Sequence, residues 1–171
     1  APEHAEDEQL PVMVWIHGGG YDHGHASEME FNASKLAAQG IIVVCIQYRV
    51  NVFGFLALPE LSAENEEGVS GNYGTLDQIK ALEWVNENIA GFGGDPENVT
   101  ICGQSAGAMS VTALLSTDMT DGLFNRAIIQ SGFGGYAAPG SYKSLEEKEE
   151  TCQNAIEKAV GDRKSTRLNS S

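Results

Sequence analysis

Apolar positions fall along this chain either in short solid blocks or in longer stripes, and the two patterns predict different elements. Pro11-Val-Met-Val-Trp-Ile16 is a compact apolar run that stops at Gly18-Gly-Gly20, which predicts a buried strand entering a glycine turn. Ile41-Ile-Val-Val-Cys-Ile46 is apolar at every position and mostly β-branched, as expected of a strand with helices over both faces. Val99–Gly103 and Ala127–Gln130 predict a third and a fourth strand. Between the strands the period lengthens. Leu76, Ile79, Leu82, Val85 and Ile89 form one stripe and predict a helix over 74–89, stopped by Gly91-Phe-Gly-Gly-Asp-Pro96. Ser27–Ala38 predicts a helix with Met29, Phe31, Leu36 and Ala37 as its apolar members, ended by Gly40. Further helices are predicted over 106–115 and 145–160, the latter with Cys152, Ile156 and Val160 inward and Glu146 to Glu150 outward. From Val50 to Asn72 glycine, proline and acid follow one another without a helical period, so this stretch reads as a loop. Strands alternating with helices predict an α/β fold, a parallel sheet with right-handed crossovers.

Length and composition narrow the function classes. A chain of 171 residues, 42% of them hydrophobic, fits one domain with a real core. A net charge of −14 argues against nucleic acid and anionic membrane surfaces, because nothing neutralises phosphates. The acidic clusters Glu3 to Glu8, Glu60 to Glu67 and Glu146 to Glu150 read as solvated loops and helix faces. Cys45, Cys102 and Cys152 are too few for a disulfide framework, and the first two sit in apolar strand runs. No apolar stretch is long enough to span a membrane. Asn32-Ala-Ser34 and Asn98-Val-Thr100 match the glycosylation pattern, a short motif that leaves the compartment open. Asp162–Ser171 is basic and polar in an acidic chain and resembles translated adapter read-through, so the domain is expected to be 1–161 and 162–171 a non-native tail.

Chemistry enters at Ser105. Gly103-Gln-Ser-Ala-Gly107 fits the G-x-S-x-G nucleophile elbow and lies between a predicted strand and a predicted helix, the setting that motif requires. A serine hydroxyl is a weak nucleophile until a base takes its proton. In this architecture the base follows the serine, yet His4, His17, His23 and His25 all precede it. His17-Gly-Gly-Gly20 supplies a second motif, a glycine turn whose bare amides can converge on one oxygen. Within it His17 is expected to hold the turn by hydrogen bonding rather than act on substrate. His23 and His25 are expected on a solvated loop.

Five blocks carry a resemblance: Val14-Trp-Ile-His-Gly-Gly-Gly-Tyr21, Gln47-Tyr-Arg-Val-Asn-Val-Phe-Gly-Phe-Leu56, Gly71-Asn-Tyr-Gly-Thr-Leu-Asp-Gln78, Phe92-Gly-Gly-Asp-Pro-Glu-Asn-Val-Thr100 and Gln130-Ser-Gly132. In order and over roughly residues 10–160, the chain resembles the type-B carboxylesterase/cholinesterase family. The resemblance implies part of an α/β-hydrolase fold, a partial parallel sheet with flanking helices. It implies hydrolysis of a small-molecule ester through a serine acyl-enzyme, with no cofactor and no metal. By motif position Ser105 is the catalytic nucleophile, and Gly19, Gly20 and Ala106 give the oxyanion-hole amides. The triad acid and histidine are then expected beyond residue 171, and this piece by itself is expected to be inactive. Asp118, Asp121 and Glu146 follow Ser105 but match no acid position of the family. Gln104 stands where the family more often has an acid, which disfavours cationic choline-type substrates and occurs in juvenile-hormone-esterase-like enzymes. The alternative is a cholinesterase-like adhesion module that binds without catalysis, since fold does not imply function. Acyl and alcohol preference and oligomeric state are left open.

Overall fold

The computed structural model describes residues 9–132 and 143–168, with side chains given up to Gly161 apart from that of Glu30. His4 and the Glu3 to Glu8 cluster lie outside the described residues. Four parallel strands, β1 (Leu10–Ile16), β2 (Ile42–Ile46), β3 (Gly94–Gln104) and β4 (Arg126–Gln130), form one sheet in the order β2-β1-β3-β4. Among the described residues six α-helices accompany them: α1 (Ser34–Ala37), α2 (Asn51–Phe55), α3 (Pro59–Ala63), α4 (Tyr73–Asn88), α5 (Ala106–Leu114) and α6 (Leu145–Leu168).

The core sits on one face of this sheet. Leu10, Val12, Val14 and Ile16 alternate inward along β1 and meet Ile79, Leu82, Val85 and Ile89 of the α4 stripe with Val111 and Leu114 of α5. Each fully buried aliphatic side chain of this kind contributes about 1.5–3 kcal/mol relative to exposure. Leu76, expected on this stripe, is exposed: the buried face of α4 runs through Gly74, Gln78, Ile79, Leu82 and Val85, and Leu76 lies off it.

The opposite face carries Met13, Trp15, Val43, Cys45, Cys102 and Ile128; among the described residues it is covered in part by the short helical segment containing Phe31 and Leu36, and a recess of about 300 Å³ remains open. The helix predicted over 27–38 is in fact a short 3-10 turn (Met29–Phe31) followed by α1. Asn32 is extended and its side-chain oxygen accepts the Ser34 N–H at 3.1 Å, a local bond that competes with helix continuation. Met29 consequently points to solvent, whereas Phe31 packs on Trp15 with ring centroids 5.3 Å apart.

Further differences lie in the connections, in β3 and in the last helix. The stretch read as a loop contains α2 and α3, each a little over one turn and too short to show a period. The third strand begins five residues early, at Gly94, because Gly94 pairs beside Leu10 ahead of an irregularity in the β1–β3 register. α6 runs on to Leu168, beyond the predicted end. It starts in a reciprocal cap, with Ser144 Oγ accepting the Glu147 N–H and Glu147 accepting the Ser144 N–H. Of its expected inward stripe Cys152 is half-buried beside Tyr21 and Phe55, whereas Ile156 and Val160 are exposed, and α6 is tied to α3 through a Glu149–Ser62 hydrogen bond.

Candidate active site

Strand order decides where a site can form. From β1 the chain moves to β2 on one side, then crosses back over β1 to β3 and continues outward to β4. The sheet therefore reverses its winding between β1 and β3, and ligands in open α/β sheets bind at the carboxyl ends of strands at such a reversal. His17-Gly-Gly-Gly20 follows β1, and Ser105 follows β3. Ile16 pairs level with Gly103, so the two motifs leave the sheet side by side.

Ser105 adopts φ 54 and ψ −122, a conformation costing a non-glycine residue about 1–3 kcal/mol. Neighbouring backbone holds it there. Its N–H donates to the Gln130 carbonyl at 3.0 Å, and its own carbonyl accepts the Met109 N–H of α5. The flanking glycines permit this packing. A Cβ on Gly103 would lie 2.4 Å from the Gly107 backbone, and one on Gly107 would lie 2.1 Å from the Ile16 carbonyl oxygen. A Cβ on Gly18 would lie 3.3 Å from Ser105 Cβ, which shows how closely the glycine turn approaches the serine. Ala106 is buried at the first turn of α5, Gly19 is half-buried and Gly20 exposed. Gln104 lies at the same place, its side-chain oxygen against Gly18.

The structure separates the histidines. His17 is fully buried, and its Nδ1 lies 2.8 Å from the Gly18 carbonyl. Burial pushes it below the ordinary imidazole range, outweighing the Gly18 hydrogen bond and the Glu28 charge that pull the other way. His23 and His25 lie exposed on the loop beyond. Asp118, Asp121 and Glu146 are exposed on a 3-10 turn, just after it and on α6. Among the described residues no cluster of His, Cys, Asp or Glu could hold a metal ion. No described helix is long and apolar enough to cross a membrane.

Several residues around the glycine turn carried no role in the sequence reading. Tyr48 stacks on the His17 ring at 4.3 Å and donates from its hydroxyl to the His17 carbonyl at 2.8 Å. Burial pushes the Tyr48 phenol up to about 12, so it remains a donor. Asn51 at the start of α2 donates its N–H to the Tyr21 carbonyl and its amide to Asp22. Ser110 of α5 donates to the Tyr21 hydroxyl and accepts from the buried Gln78 of α4. The segment after β2 and helices α2 and α5, the last backed by α4, thus hold one turn. The only sequence signal for this is indirect: Gln47, Tyr48, Asn51, Tyr21 and Gln78 all lie inside the resemblance blocks.

A family model described as the carboxylesterase family matches residues 1–164. The chain belongs to this family. Among carboxylesterase relatives, it is 55% identical over 124 residues to the para-nitrobenzyl esterase of Bacillus subtilis (strain 168), covering 72% of this chain and 24% of that protein. It is 44% identical over 148 residues to the fumonisin B1 esterase of Sphingopyxis macrogoltabida, covering 86% of this chain and 26% of the relative. A solved PNB esterase structure superposes with a TM-score of 0.76 at 45% identity, over 92% of this chain and 30% of that one. The fold is accordingly the partial parallel sheet of an α/β-hydrolase with flanking helices. The chain spans 24–30% of the length of these proteins.

Proposed function

We propose that this chain is the nucleophile-bearing part of a carboxylic ester hydrolase acting on small-molecule esters. The observation that carries the reading is the strained Ser105 at the carboxyl end of β3, set against the glycine turn that follows β1. In this reading Ser105 Oγ attacks the ester carbonyl, and the oxygen takes up negative charge as the carbon becomes tetrahedral. The amides of Gly19, Gly20 and Ala106 receive that charge, and one such donor is worth about 10²–10³ in rate. A histidine from the remainder of the enzyme takes the serine proton and passes it to the departing alcohol. Water then attacks the acyl-serine and releases the acid.

Residues 1–161 supply one piece of the hydrolase domain, and 162–171 are proposed to be a non-native tail. Without acid and histidine, this piece alone should turn over esters poorly, since losing a triad base can cost about 10⁶ in turnover number. The test is a full-length enzyme assayed with a p-nitrophenyl ester and a fluorophosphonate probe. Turnover with the probe on Ser105 is expected. Absence of both would overturn the reading in favour of a binding module.

A further inference from the structure

Gln47, the first residue after β2, lies thirty positions from His17 in sequence but touches its ring. Its amide makes three contacts. Oε1 accepts the Ala26 N–H at 2.9 Å, and Nε2 reaches both the Tyr48 carbonyl at 3.2 Å and His17 Nε2 at 3.3 Å. Two of these partners fix the orientation of the amide. A backbone N–H can only donate and a backbone carbonyl can only accept, so Nε2 must face His17 as a donor. His17 Nε2 must then accept and carry no proton. The proton belongs on Nδ1, which faces the Gly18 carbonyl at 2.8 Å, an obligatory acceptor. Every partner agrees on one neutral tautomer.

That tautomer bears on the glycine turn. Nδ1–H holds the Gly18 carbonyl, and the next two amides are those of Gly19 and Gly20. The same Gln47 ties down Ala26, the far end of the loop that leaves the turn. We infer that Gln47 is a positioning residue for the glycine turn 18–20, acting through the tautomer of His17. The inference rests on the proposed ester hydrolysis for its kinetic consequence, but not for its effect on His17.

Two variants of the full-length enzyme, labelled with ¹⁵N-histidine, separate these consequences. Gln47→Met keeps the side-chain length but removes the donor, so His17 should pass from one tautomer to a mixture in its ¹⁵N signals. kcat should fall by about 10- to 100-fold, a fraction of a lost oxyanion donor, with KM nearly unchanged. Gln47→Glu places an acceptor against His17 Nε2 and should draw a second proton onto the ring. Glu28 and His25 also act on this imidazole electrostatically and Tyr48 stacks on it, and all three are the same in both variants. The expected result is a His17 titration in the neutral range, with the same midpoint in the ¹⁵N signal and in kcat. A Gln47→Met protein with wild-type tautomer and wild-type kcat would overturn the inference. So would a Gln47→Glu protein lacking the coincident titration, even if Gln47→Met failed to fold. A wild type with no esterase activity would instead sink the proposed function, and the ¹⁵N signals alone would then decide the role of Gln47.

Discussion

Ser105 spends backbone strain where a side chain must stand clear of the sheet. With φ 54 it occupies a region glycine enters freely. Ser105→Ala and Ser105→Gly should both abolish probe labelling in the full-length enzyme. Their stabilities should differ: the glycine variant lacks the Cβ responsible for the strain and should gain about 1 kcal/mol over the alanine variant in chemical denaturation. Equal stabilities would mean that the elbow stores no strain. The neighbouring glycines behave oppositely. Gly107→Ala drives a Cβ into the Ile16 carbonyl and should cost about 3 kcal/mol. Gly161→Ala meets nothing within 4 Å in α6 and should gain up to about 1 kcal/mol from helix propensity.

Elements are held in register around the site by a few polar ties. The clearest joins the chain leaving β2 to α4. Asp77 accepts from Arg49 Nε at 2.8 Å, from its terminal nitrogen at 2.7 Å and from its backbone N–H at 2.9 Å, and Arg49 also lies over the Tyr73 ring. The Arg49 hydrogen bond holds the Asp77 carboxyl below its usual range, despite some opposing desolvation. A depressed folded value means that this stabilisation is present above the unfolded carboxyl pKa of about 3.9 and is lost as pH falls through the folded value. Asp77→Asn should therefore cost about 1–2 kcal/mol near neutrality, discounted because Arg49 is half-exposed. The difference from wild type in urea unfolding should shrink on acidification below pH ~3.9. A difference that does not change with pH would rule out the ion pair as its source.

At the scale of the whole molecule, the described sheet ends at β4 with apolar side chains exposed on both faces. Among the described residues β4 pairs only with β3, and Ile128 and Ile129 are each 40% exposed along it. An unpaired edge beside an open apolar face favours association with further chain. The charge of −14 opposes it, but only over a distance that salt shortens to about 8 Å at physiological ionic strength. The 171-residue chain by itself should therefore self-associate more as salt is added, measured by light scattering. Ile128→Lys should shift it toward monomer. Association that weakens with salt would point to charge pairing instead.

Much of this was legible in the chain because it is locally encoded. Solid β-branched blocks, one 3.6-residue stripe and the glycine positions of two motifs each need only neighbours in sequence. Their physical causes are strand burial, helix amphipathicity and backbone approach. Short segments were misread where a single bond outweighed the pattern, as at Asn32, or where the element was barely one turn, as in α2. The outward turn of Ile156 and Val160 had no local sign, since a stripe predicts a face without saying what covers it. Only the tertiary structure brought the two motifs together, by reversing the sheet's winding between β1 and β3. It alone set the proton on His17, because the atoms that decide it come from Gly18, Ala26, Gln47 and Tyr48, and a hydrogen-bond network closed over thirty residues leaves no periodicity to read.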